Sequence, residues 1–173
     1  MIEGWIFHVV FTVKNSRYDW QRIKRKKPVG FITPTFPFFE NEEEEFLIKI
    51  LCDIAIELEL KIAAFNFCGD HVHAVLIKDK SDISKIIGLW KGKSAYLYNH
   101  RIQTFNEISQ SKNLKIDIHN LWAKSFYQKI ITSATELENV IFYINNNRKK
   151  HGLQPLTSFS TKIISPLDIG KKE

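Results

Sequence analysis

Phe67-Cys68-Gly69-Asp70-His71-Val72-His73-Ala74-Val75-Leu76-Ile77 is the stretch that decides how this chain folds. Gly69 and Asp70 read as a turn, and the residues after them alternate with the period of a strand. One face carries His71, His73, Val75 and Ile77, and the other carries Val72, Ala74 and Leu76. Two histidines two apart on a strand point the same way, close enough for their imidazoles to share one divalent cation. Two half-exposed strand residues with no ligand fit the same letters. Lys61 to Phe67 reads as the partner strand, so the turn closes a hairpin.

A second stretch runs from Ser133 to Gly152. Ser133 followed three residues later by Glu136 is a capping box, and Gly152 after a basic last turn is a stop signal. Leu137, Val140, Ile141 and Ile144 form the apolar stripe of the helix between them. Tyr143 and Asn147 are four apart and share a face bordering that stripe. A phenol and an amide there can both reach a neighbouring site, although a tyrosine packed under its own helix gives the same pattern.

Together the two stretches resemble the HUH endonucleases, and within them the single-tyrosine transposases, with the REP-associated tyrosine transposases nearest. The resemblance runs from about Trp5 to Gly152. It implies that His71 and His73 hold a divalent metal, that Tyr143 is the nucleophile, and that Asn147 completes the metal site. The family's tail, Tyr-Ile-x-x-Asn-Pro-x-Lys-His-Gly, stands against Tyr143-Ile144-Asn145-Asn146-Asn147-Arg148-Lys149-Lys150-His151-Gly152. Arg148 replaces the usual proline, which leaves open the path of the chain after the helix. The implied cofactor is Mg²⁺ or Mn²⁺ with no nucleotide cofactor, although two imidazoles and an amide also tolerate Zn²⁺ or Ni²⁺. The implied partner is single-stranded or hairpin DNA. The implied reaction is strand cleavage and transfer through a 5′-phosphotyrosine. Relatives occur as monomers and as dimers that exchange the tyrosine helix, so a homodimer is open.

The 173 residues suit one domain over 1–173, with a core of about 5–152 and a tail of 153–173. An apolar fraction of 44% with 13% aromatics indicates a folded globule. No apolar run reaches membrane-spanning length and no signal peptide precedes Trp5. Cys52 and Cys68 form no CxxC pair and no zinc spacing, and read as reduced core thiols of a cytoplasmic protein. The net charge of +6 is clustered in Arg22, Lys24, Arg25, Lys26 and Lys27, in Lys91 and Lys93, and in Arg148, Lys149 and Lys150. With Tyr18, Trp20, Trp90, Tyr96 and Tyr98 interleaved, these clusters suit phosphate contact and base stacking. A solvated surface is the plain alternative for any one of them.

In chain order, Trp5–Val13 alternates as a central strand, with His8 opposite the aromatic face. This makes His8 a candidate phosphate contact. Residues 14–39 read as a loop with three prolines. Residues 40–60 form a helix whose acidic start suits the dipole and would sit away from DNA. Ser81-Asp82 caps a helix striped by Ile83, Ile86, Ile87, Trp90 and Leu97. Residues 99–118 are polar and irregular in pattern, an insertion or a short helix, and 121–132 form a strand with Trp122 and Tyr127. The order β-α-β-β-α-β-α is that of an α+β ferredoxin-like sandwich, its antiparallel sheet followed by the tyrosine helix. That topology puts His8 beside His71 and His73 on the sheet face left uncovered by the first two helices. Two rivals stand against this reading. One is a non-catalytic nucleic-acid-binding module on the same sheet. The other is the same fold with Tyr127 as nucleophile.

Overall fold

The computed structural model describes residues 4–14, 39, 41–78, 82–109 and 121–155. Four strands, β1 (Trp5–Thr12), β2 (Lys61–Phe67), β3 (His71–Lys78) and β4 (Tyr127–Ile131), form one antiparallel sheet in the order β2-β3-β1-β4. Three helices, α1 (Asn41–Glu57), α2 (Ile83–Ser109) and α3 (Ala134–Lys150), give the order β-α-β-β-α-β-α expected from the pattern. Strands β1 and β3 are the central neighbours, paired so that Val10 faces His73 and Thr12 faces His71.

One sheet face forms the main core. Phe7, Val9 and Phe11 of β1 and Val72, Ala74 and Leu76 of β3 pack with Leu47, Leu51 and Ile54 of α1. Ile83, Ile87 and Trp90 of α2 complete it, and the Trp90 indole N–H donates to the Leu51 carbonyl at 2.9 Å. Each such buried side chain contributes roughly 1.5–3 kcal/mol. On the second face, Leu137 and Ile144 of α3 cover Ala64, Val75 and Ile131. They leave the far end of that face, with its histidines, uncovered by the first two helices.

The caps behave as their residues dictate. Ser133 Oγ accepts from the Glu136 N–H at 3.1 Å, and Glu136 returns to the Thr132 N–H at 3.0 Å, one residue short of a reciprocal box. Gly152 takes φ +69° and ends α3, with Leu153 N–H donating back to the Arg148 carbonyl.

Three expectations change. Helix α2 runs 27 residues to Ser109, through much of the stretch expected to be irregular. Its stripe continues through Ser94 and Tyr98, while Leu97 is exposed. Strand β4 begins only at Tyr127. Before it, Trp122 makes one isolated bridge with Val13, and the carbonyls of Ala123, Lys124 and Ser125 are taken by the Lys91 ammonium at 2.7, 3.1 and 3.2 Å.

Candidate active site

Strand β3 delivers both histidines to the second face, where His71 is 1% and His73 5% exposed. Asp70, in the turn just before, accepts from the Nδ1–H of His71. A carboxylate there fixes the tautomer and leaves the lone pair on Nε2, as in oriented metal-ligating histidines. The two rings lie 4.8 Å apart, nearly perpendicular. From β1, His8 stacks on His73 at 5.4 Å, its Nε2 3.2 Å from Nδ1 of His73. Burial, with a smaller effect from Lys129, lowers the His8 pKa and keeps that ring neutral near pH 7.

Helix α3 lays Tyr143 edge-on to His73 of the same chain, ring centroids 5.4 Å apart. The phenol is 41% exposed, and the Lys150 ammonium lies 5.9 Å from its ring. One turn on, Asn147 is 1% exposed, and neither of its amide atoms makes a hydrogen bond among the described residues. The Cys68 thiol, which burial pushes up to about 12 against a smaller opposing effect of the Asn147 amide, lies beside it. Buried amides are almost always paired, so an orphaned one marks a place for a further ligand.

No three His, Cys, Asp or Glu side chains among the described residues are grouped to hold a metal. A cation here would therefore take two imidazoles and the Asn147 amide oxygen, with its other positions left for water or phosphate oxygens. That donor set suits a divalent ion, and the orphaned amide fits it.

The basic residues separate sharply. Lys149 and Lys150 are exposed at the end of α3. Lys91 is occupied by the three carbonyls before β4, and Lys93 pairs with Glu57. Arg148, expected as a DNA contact, is 6% exposed and pairs with Glu44 of the acidic first turn of α1. That turn was expected to sit away from the site. Instead it lies against the residue following Asn147, because a buried guanidinium needs a buried carboxylate. Arg22, Lys24, Arg25, Lys26 and Lys27, with Tyr18 and Trp20, fall outside the described residues. Trp90 and Tyr98, expected to stack on bases, are core residues, while Tyr96 of the same helix is exposed.

Three neighbours of the site had no role there in the sequence pattern, and a fourth, Tyr127, entered only as the rival nucleophile. The His151 ring is 5.7 Å from that of His71, and the Tyr127 ring is 6.0 Å from that of His8. Asp70 orients His71. Asn66, the register partner of His73, donates from Nδ2 to the Ile144 carbonyl at 2.6 Å. Its signal was present: a lone amide in an apolar strand, set opposite a histidine by the hairpin.

The family described as "Transposase IS200 like" matches residues 32–147, well over half the chain. The chain belongs to the IS200-like transposases. Among solved structures, this transposase is similar in fold to a REP-associated tyrosine transposase bound to a REP hairpin. The TM-score is 0.52 at 15% identity, covering 87% of this chain and 70% of that one. A Deinococcus radiodurans R1 chain described as a transposase aligns with TM-score 0.48 and 19% identity, over 86% of this chain and 93% of that one. No curated protein matches the sequence.

Proposed function

We propose that this transposase cuts and rejoins single-stranded or hairpin DNA through a covalent bond between Tyr143 and a 5′-phosphate. The observation that carries the reading is the Tyr143 ring standing 5.4 Å from His73, beside a His71 oriented by Asp70. The likeness in fold to a transposase bound to a REP hairpin supports a hairpin substrate. The Tyr143 phenol loses its proton and its oxygen attacks the phosphorus in line. The bond to the 3′ oxygen breaks, and that oxygen takes up a proton to leave a free 3′-OH. A second 3′-OH reverses the step on the phosphotyrosine and rejoins strands, so no nucleotide cofactor is consumed.

His71, His73 and Asn147 would hold Mg²⁺ or Mn²⁺, which when bound polarises the scissile phosphate and offsets its developing charge. The residues of the chain do the rest. Helix α3 fixes the distance between nucleophile and amide because it carries both. Asp70 keeps His71 in one tautomer, and Lys150 supplies positive charge beside the phenol. The face under the tyrosine helix carries His8, His71 and His73 where a non-catalytic binding sheet would present aromatic platforms, which favours chemistry. Neither cysteine is disulfide-bonded, and no helix among the described residues is long and apolar enough to cross a membrane.

The test is denaturing electrophoresis of the protein with labelled single-stranded hairpin DNA. Wild type forms a covalent adduct, and Tyr143→Phe forms none while binding DNA within a few-fold. An adduct retained by Tyr143→Phe and lost in Tyr127→Phe would move the nucleophile to β4.

A further inference from the structure

Two neighbouring residues of β2 grip the tyrosine helix one turn apart. The Asn66 amide donates to the Ile144 carbonyl at 2.6 Å, and Arg148 Nη1 donates to the Phe67 carbonyl at 2.6 Å. Arg148 is held in turn by Glu44 through both carboxylate oxygens, at 2.7 and 3.1 Å, and by the Gln154 carbonyl. The gripped positions are those immediately after Tyr143 and Asn147. Apart from the Lys129–Glu136 ion pair at its exposed first turn, the rest of the α3 seat is apolar, built from Leu137, Ile144, Val140 and Ile141. Apolar contact is non-directional and tolerates sliding or rotation of a helix, whereas a hydrogen bond is lost within a few tenths of an ångström.

Apolar residues would glue this seam at least as well as a buried ion pair, which contributes little net stability and more often fixes register. We infer that Asn66 and the Glu44–Arg148 pair are positioning residues that set where Tyr143 stands above the histidine strand. Asn66 faces His73 in the β2–β3 register, so the grip refers the helix directly to the strand it must serve. Arg148 supplies here what the proline expected at its position cannot, a side chain that pins the helix end while the helix continues to Lys150. The catalytic meaning of this grip rests on Tyr143 being the nucleophile.

The full chain labelled with 3-fluorotyrosine tests the inference by ¹⁹F NMR, with the Tyr143 signal assigned by its loss in Tyr143→Phe. In Asn66→Leu and Arg148→Lys the Tyr143 signal should shift or broaden while the Tyr96 and Tyr98 signals stay in place. Adduct formation in a single turnover should fall about 10- to 100-fold, the scale of a misplacement near 1 Å, with hairpin-DNA affinity kept within about threefold. An unchanged Tyr143 signal and unchanged rate in both variants would overturn the inference. Should either variant fail to fold, Glu44→Gln decides: it keeps the side-chain shape, and a rate and signal equal to wild type would equally overturn the inference. A wild-type protein that forms no adduct would sink the nucleophile reading alone, since the ¹⁹F signals report helix position without chemistry.

Discussion

Removing one charge of the Glu44–Arg148 pair should cost far more than removing both. The two side chains are 9% and 8% exposed, and the guanidinium meets the carboxylate through two hydrogen bonds. Arg148→Met leaves the Glu44 carboxylate desolvated with no cation and the Phe67 carbonyl without its side-chain donor. An uncompensated buried charge costs about 3–5 kcal/mol. A single domain is stable by only about 5–15 kcal/mol, so a fifth or more of the total is at stake. At the usual 2–4 °C per kcal/mol for a chain of this size, Tm should drop by roughly 6–20 °C. Glu44→Leu with Arg148→Met replaces the pair by apolar volume and should recover most of the loss. The coupling energy would then be at least as large as the loss in one single variant, about 3 kcal/mol or more. Urea denaturation followed by circular dichroism, on wild type, both single variants and the double variant, measures it. Single variants costing under 1 kcal/mol, or a double variant costing the sum of the singles, would refute the account of a desolvated pair.

The metal reading predicts that His71→Ala and His73→Ala each abolish cleavage, as EDTA does. Asn147→Ala should be milder, because water can replace one neutral oxygen ligand. Full activity in EDTA would return both histidines to a structural role. The thiols should be silent in the native protein: Cys52 and Cys68 are buried with pKa values pushed up to about 12, so DTNB at pH 8 should label both only after unfolding. Because the folded Cys52 pKa lies above the unfolded value of about 9, its contribution is intact below pH 9. It falls by up to about 1.4 kcal/mol per pH unit as pH rises toward 12, and Cys52→Ala should make the alkaline loss of stability shallower. Neutralising Lys149 and Lys150 should weaken single-strand binding and flatten its log–log salt slope by about one to two units, at roughly 0.7 per phosphate contact. An unchanged slope would make that helix end merely solvated.

Elements with a strong local period were legible from their residues. Strand β2 matches its expected ends, and the Gly69-Asp70 turn delivers His71 and His73 to the face that alternation assigns them. His8 joins them because the expected topology makes β1 the neighbour of β3. What failed were features set by contacts distant in sequence. Glu44 and Arg148 are 104 residues apart and each sits in a charged run, so local pattern places both on the surface. The length of α2 was hidden because a nucleated helix propagates through polar residues when no Gly or Pro stops it. Strand β4 is short for a tertiary reason, since its approach satisfies its backbone on a lysine.

That lysine has a consequence for the outer boundary of the sheet. Strand β4 is an edge, and edges recruit foreign strands through free backbone acceptors. By occupying the carbonyls of residues 123–125, Lys91 removes three such acceptors from the run leading into β4 and leaves five residues of ladder. Helix α2 thus shortens the exposed edge by holding its approach on a side chain, with the charge that sequence pattern had assigned to DNA.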